Sequence, residues 1–520
     1  MGLAVGIDLG TSNSVVAFYQ DGLPRVLADS EGSTVHPSVV AFGYGKSTVV
    51  GHRAKQQLTY APENTVFSAK RLIGRRFRSA EVERMRAMVS WGIAEGSSGD
   101  ARVRVQGRVY AVPEISAHVL RNMRRIAEEA LGEGVDKAVI TVPAYFNDQQ
   151  RQATRDAATI AGLECLRIIN EPTAAALAYG YRQDKRQHIV IYDLGGGTFD
   201  VSILRIDEDF FEVVSTAGDT FLGGDDFDIA ITEHLFAELK HSSGRDLSDR
   251  HVVRTKLLDA AEKAKRALST QEEVSIRVPN LARDANGNPI HLFTQLNRKQ
   301  LGRLVMPLIQ RTFLVVDDAL QQARLSATQI DQVLLVGGMT RTPMIREAVG
   351  HYFRRPALAD INPDEVVALG AAIQANTLTN FTGDTSAVLL DVTPQSLGVR
   401  TIGGFVEPLI ERNTPIPTAS TKIFHTARDS QTQVRVQVYQ GESRMAEDNH
   451  FLGDFVLDGI RSAPRGEISI AISFAIDTDG IVSVKARDRD TGYETDMLLE
   501  ASSNLSRAEV QNLSFDELGF

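Results

Sequence analysis

Up to about Phe381 the chain alternates short apolar runs with stretches of helical period, as in Lys137 to Val142 followed by Asp148 to Gly162, and Gln332 to Val336 followed by Pro343 to Phe353. That rhythm predicts α/β layering. The helix near 148–161 has Asn147 or Asp148 as its N-cap and Gly162 as its stop. Asp259 to Leu268 reads as another helix, with Glu262 four residues before Arg266. A small, polar stretch from Thr382 to Ser386 and the apolar triplet Val388-Leu389-Leu390 then lead into a different pattern. Val434, Val436 and Val438 alternate with polar residues, and Ile468, Ile470, Ile472, Phe474 and Ile476 alternate with small ones. Period two predicts strands, with two more over 480–487 and 494–500, and hence an antiparallel β-sandwich over about 391–501.

Two of the early apolar runs end in the same phrase. Gly6-Ile7-Asp8-Leu9-Gly10-Thr11-Ser12 closes one, and Tyr192-Asp193-Leu194-Gly195-Gly196-Gly197-Thr198-Phe199-Asp200 closes the other. Asp can hold a hydrated Mg²⁺, glycine lets backbone N–H groups close on phosphate oxygens, and threonine adds a hydroxyl. A third glycine turn, Leu335-Val336-Gly337-Gly338-Met339-Thr340-Arg341, ends a further run. One such phrase alone is more often a hairpin turn; two copies and the third turn, in this order, point to two related lobes facing one nucleotide cleft. Gly45-Lys46-Ser47 imitates the end of a Walker A loop, but its first glycine would fall on Val40, so it reads as a surface turn.

Composition narrows the class. At 520 residues the chain exceeds a single core. Its 43% hydrophobic and 23% charged residues are those of an ordinary soluble protein, and the net charge of −10 argues against nucleic-acid binding as its main task. The sole cysteine, Cys165, excludes an internal disulfide and a multi-cysteine zinc site. No apolar run approaches a membrane helix, and Asp8 interrupts the N-terminus too early for a signal peptide, so a cytoplasmic protein without membrane contact is expected.

Glu171-Pro172-Thr173-Ala174-Ala175-Ala176-Leu177-Ala178-Tyr179-Gly180, Val142-Pro143-Ala144-Tyr145-Phe146, the two clamp phrases and Asn362-Pro363-Asp364-Glu365 together resemble the heat-shock protein 70 family, in its bacterial DnaK-like branch. The resemblance runs from Met1 to about Leu513. It implies an α/β, actin-like, two-lobed ATPase domain (1–381), an interdomain linker (382–390), and an all-β sandwich domain that binds peptide substrates (391–505). The short helical start at 506–520, with Ser506 and Glu509 as a capping box, stands where the family's lid begins, so the lid is expected to be missing. The implied cofactors are ATP or ADP with Mg²⁺, with room left for K⁺.

The resemblance also implies roles. Asp8, Asp193 and Asp200 would surround Mg²⁺, largely through water; Lys70 would reach the γ-phosphate, Glu171 would position the attacking water, and Thr11 and Thr198 would contact phosphate oxygens. Gly10, Ser12, Gly195, Gly196, Gly197, Gly224, Gly337 and Gly338 would line the nucleotide. Glu262, Lys265, Arg266 and Ser269 match its base-and-ribose helix, and Arg341 and Asp364 the flank of the adenine pocket. Coupling would run through Pro143, Arg151, Arg167, Asn170, Val388, Leu389, Leu390 and Asp391, with Arg167 and Asn170 receiving a J-domain cochaperone. A peptide groove would use Leu397, Val399, Ile402, Phe424, Ala427, Val434 and Val436, with Ile402 and Ala427 as an arch; read alone, alternating valines are plain sandwich core. Gln395 departs from the branch's leucine, and the linker is one residue short. The expected partners are unfolded clients, the cochaperone and a nucleotide exchange factor. The competing readings are an actin-like small-molecule kinase, which would lack the linker and sandwich, and an exchange-factor-type relative with incidental ATPase activity.

Overall fold

The computed structural model describes residues 2–43, 48–180, 186–207, 210–284, 286–358, 361–379, 388–498, 505 and 507–516. The Gly45-Lys46-Ser47 turn, the Thr382 to Ser386 stretch and Ser506 lie outside them. Two sheets share one plan. In the first lobe Leu3–Leu9 lies between parallel Val135–Val142 and antiparallel Asn13–Gln20, with Glu164–Asn170 and Leu23–Val26 outside. In the second, Gln187–Leu194 lies between parallel Gln332–Val336 and antiparallel Phe199–Asp207, followed by Phe210–Asp219. The repeated phrase therefore sits at equivalent places in two like sheets. Asp8 lies next to the end of its strand, and the chain turns at Gly10.

Local chemistry explains the boundaries. Asn147 caps the helix Asp148–Ile160 by accepting from the Gln150 N–H at 2.9 Å, while the Gln150 side chain accepts from the Asn147 N–H at 3.1 Å. The helix foreseen over 259–268 starts earlier, at His251.

The sandwich faces the sheet of Val406–Ile410, Leu397–Arg400, Val434–Gln440 and His450–Leu457 against that of Thr418–His425, Ser469–Ile476, Val482–Asp488 and Glu494–Leu498. Its core holds Leu397, Val438, Leu457, Ile468, Phe474 and Val484. The period-two pattern is thus that of strands sealed on one face.

The linker differs from a free tether. Val388, Leu389 and Leu390 begin a strand, Val388–Val392, that pairs in parallel with Phe210, Phe211 and Glu212 of the second lobe. The same strand ends by pairing Asp391 and Val392 antiparallel with Ile416 and Pro415 of the sandwich. Leu389 packs against the core between the lobes, so its apolar surface is used in docking.

Further contacts seat the sandwich on both lobes. The Val482 N–H donates to Asp148 Oδ1 at 2.8 Å, Arg155 pairs with Asp479, and Arg412 donates to Asp318 at 2.8 Å and to the Thr216 carbonyl at 2.9 Å. The terminal helix Arg507–Asp516 packs on the helix Asp148–Ile160, with Leu505, Val510 and Leu513 joining the first lobe's core.

Half-buried His450, at this seam, faces Arg75, Arg76 and Glu81 of the first lobe, and its Nε2 is sealed without a hydrogen-bond partner among the described residues. Burial, and next the Arg75 guanidinium, push its pKa down to about 4. Docking therefore takes up the neutral imidazole. The contribution is present above the ordinary histidine value near 6.5 and is lost as pH falls from there towards 4. We expect docking, followed by fluorescence energy transfer between lobe and sandwich, to weaken by up to about tenfold per pH unit in that window. His450→Gln should flatten that dependence; an unchanged profile would show that His450 does not titrate on docking.

Candidate functional site

A cavity of about 80 Å³ lies where the two sheets' clamp turns meet, lined by Asp8, Gly10, Thr11, Ser12, Asn13, Val15, Val35, Glu171, Asp193, Gly195, Gly196, Thr198, Val336, Gly337, Gly338, Pro363, Asp364 and Val367. The two repeated phrases and the third glycine turn thus converge on one place. The glycines are there because the turns touch: a Cβ on Gly196 would lie 1.9 Å from Ser12 Oγ, and one on Gly197 2.4 Å from Thr11 Cγ2. Gly337 needs its left-handed backbone, φ 81°, and a Cβ there would meet the Leu194 carbonyl at 2.4 Å.

The carboxylates form one electrostatic unit. Burial, and next the neighbouring Glu171, push Asp8 and Asp200 each up to about 7 and Asp193 well above its usual range. Lys70 is the cation that opposes this at all three. Its buried ammonium donates to Glu171 Oε1 at 2.9 Å and to the Leu9 carbonyl at 2.5 Å, and it lies 5.3 Å from the Phe146 ring centroid. Thr141 donates to Asp8 at 3.0 Å, and the Tyr145 N–H donates to Asp200 at 3.2 Å. So acidic a buried set fits a divalent cation. Among the described residues no group of three His, Cys, Asp or Glu side chains is placed to ligate a metal directly.

Of the residues expected around adenosine, Asp364 lines the cavity, whereas Glu262, Lys265, Arg266, Ser269 and Arg341 are not part of its lining and make contacts of their own. Glu262 accepts from Lys55 at 2.7 Å across the cleft and lies 3.3 Å from Arg266. Lys265 donates to Asp228 at 2.7 Å and to the Gly224 carbonyl at 2.9 Å, while the Ser269 carbonyl accepts from Arg298 at 3.2 Å. Arg341 pairs with Asp364 at 2.8 Å. Lys55 and Glu262 thus bridge the two lobes at the cleft's rim.

Lys55 and Asp225 play parts that the sequence does not signal, since each has its partners more than 150 residues away.

The coupling set forms a chain. Arg151 donates to Asn170 Oδ1 at 2.6 Å and to the Ala144 carbonyl, next to Pro143, at 3.2 Å. Asn170 in turn donates to Asp391, directly after the linker, at 2.8 Å, and Thr173 to the same carboxylate at 3.1 Å. Arg167 is half-buried beside Asp479. In the sandwich, Leu397, Val399 and Val436 are sealed in the core, so in this conformation they do not line an open groove. Phe424, Ala427 and Val434 are half-buried and Ile402 is 72% exposed.

Among the described residues no helix is long and apolar enough to cross a membrane. Compared with known families, the chain is matched over residues 4–518 by the family model described as Hsp70 protein.

Proposed function

The chain belongs to the Hsp70 family, and on that premise we propose that it captures extended apolar segments of unfolded proteins in its β-sandwich, with ATP binding and hydrolysis setting their release and capture. Members of the family are ATP-dependent chaperones that use ATP with Mg²⁺ and act on unfolded clients with cochaperones. Mg²⁺, when bound, would supply positive charge against the phosphates. In our reading Asp8, Asp193 and Asp200 hold its waters, the glycine turns with Thr11 and Thr198 hold the phosphates, Lys70 sets a charge against the transferring phosphoryl group, and Glu171 orients the attacking water.

One observation supports the coupling most directly. The carboxylate of Asp391, which directly follows the linker in the strand Val388–Val392, is held by Asn170 and Thr173, which flank Glu171, and Glu171 is bonded to Lys70. Movement of the linker therefore bears on the residues beside the phosphates. Asn170 and Arg167 would also take up a J-domain cochaperone. Single-turnover ATP hydrolysis with and without an unfolded peptide tests the proposal. Faster hydrolysis with peptide is expected; ATP consumed with phosphorylation of a sugar would favour the kinase, and peptide-independent hydrolysis the exchange-factor relative.

The groove has its own test. Val434 is half-buried at the start of its strand, so Val434→Phe should fill the peptide pocket and weaken binding of a fluorescent peptide about tenfold or more, read by anisotropy. Unchanged affinity would move the groove elsewhere.

A further inference from the structure

Asp225 stands in the first turn of the helix Gly224–Ser243 of the second lobe, and its backbone N–H donates to the Gly196 carbonyl at 2.8 Å, tying it to one clamp turn. Its side chain reaches the other lobe. Oδ1 accepts from Ser12 Oγ, in the opposite clamp turn, at 3.2 Å, and Oδ2 accepts from Ser68 Oγ at 2.8 Å. Arg71 reinforces the contact, 3.7 Å from Asp225 and 2.7 Å from Asp226.

Ser68 is the unusual member. It precedes the 3-10 turn Ala69–Leu72 that carries Lys70, a place where a serine hydroxyl ordinarily caps the turn's own N–H groups, yet it makes no such cap. It is buried, and it holds a left-handed backbone, φ 54°, that a serine keeps only where its surroundings demand it. Its hydroxyl is spent instead across the cleft. Both serine bonds to Asp225 span the two lobes, so any parting of the lobes that lets a nucleotide out breaks both.

We propose that Ser68, Asp225 and Ser12 form a clasp over the phosphate turns that sets the rate at which bound nucleotide escapes. The proposal rests on the nucleotide-binding reading above. A hydrogen bond to a charged acceptor is strong enough that its loss should change an escape rate by roughly tenfold.

Release of fluorescent ADP from the full-length chain, followed by stopped flow with excess unlabelled ADP, tests this. Ser68→Ala should release ADP about tenfold faster, with the single-turnover hydrolysis rate unchanged. Ser68→Gly, which accepts the left-handed backbone without strain, should do the same, because the hydroxyl and not the turn's shape is what matters. Asp225→Ala should release ADP at least as fast, and adding Ser68→Ala to it should bring no further acceleration, since both act on one clasp. Release at the parent rate in both Ser68 variants, or effects that multiply in the double variant, would overturn the clasp. A parent chain that binds no fluorescent ADP would overturn the nucleotide reading and the clasp with it.

Discussion

Replacing Lys70 by alanine is expected to slow single-turnover ATP hydrolysis by roughly 10²–10³-fold while equilibrium ATP binding persists. The ammonium is buried, and it is the charge that opposes the raised pKa values of Asp8, Asp193 and Asp200. Without it, Glu171 loses its 2.9 Å partner, and nothing replaces the positive charge set against the phosphoryl group as negative charge develops there. The rim residues Glu262, Arg266 and Lys265 are held by pairs with Lys55, Glu262 and Asp228 that do not involve Lys70, so the far end of the cleft is expected to keep its structure. Near-parent turnover in the variant would remove Lys70 from the chemistry.

The second large effect is expected in the linker. Leu389→Asp combined with Leu390→Asp should leave basal hydrolysis measurable and abolish its stimulation by peptide. Leu389 pairs with Phe211 and packs into the core between the lobes, and Leu390 lies opposite Glu212. One aspartate would thus meet apolar surface and the other a like charge across the ladder, each unfavourable, so the strand would no longer dock. In the proposed coupling, a docked and an undocked strand would be the two states through which peptide and nucleotide sense one another. Stimulation surviving in the double variant would place the coupling elsewhere.

How much of this was legible in the chain depends on the range of the signal. The clamp turns could be read because Asp, Gly and Thr act within a few residues of one another, and the strand before each turn announces itself by its apolar run. The Asn147 cap and the period-two strands are local in the same sense. The linker's apolar triplet was visible, but not that it would enter a sheet, since pairing with Phe210 to Glu212 depends on an edge built far earlier in the chain. The burial of Val436 was foreshadowed by the plain reading of alternating valines as core, while that of Leu397 and Val399 was not. Cross-cleft pairs left no trace: Lys55 meets Glu262 at a separation of 207 residues, and Ser68 looks like any cap in the sequence. Such contacts are made by the closing of two lobes and not by the pattern within either.

The strand Val388–Val392 has a mechanical consequence. It is held along one edge by the second lobe and, at its end, by the sandwich. A load drawn along the strand axis must shear the three lobe pairs together, whereas a load across it peels them one at a time. A client tethered to the sandwich would therefore find the joint stiff in one direction and compliant in another, and the direction in which a chain pulls would decide whether the tension reaches Asp391 and the residues beside Glu171.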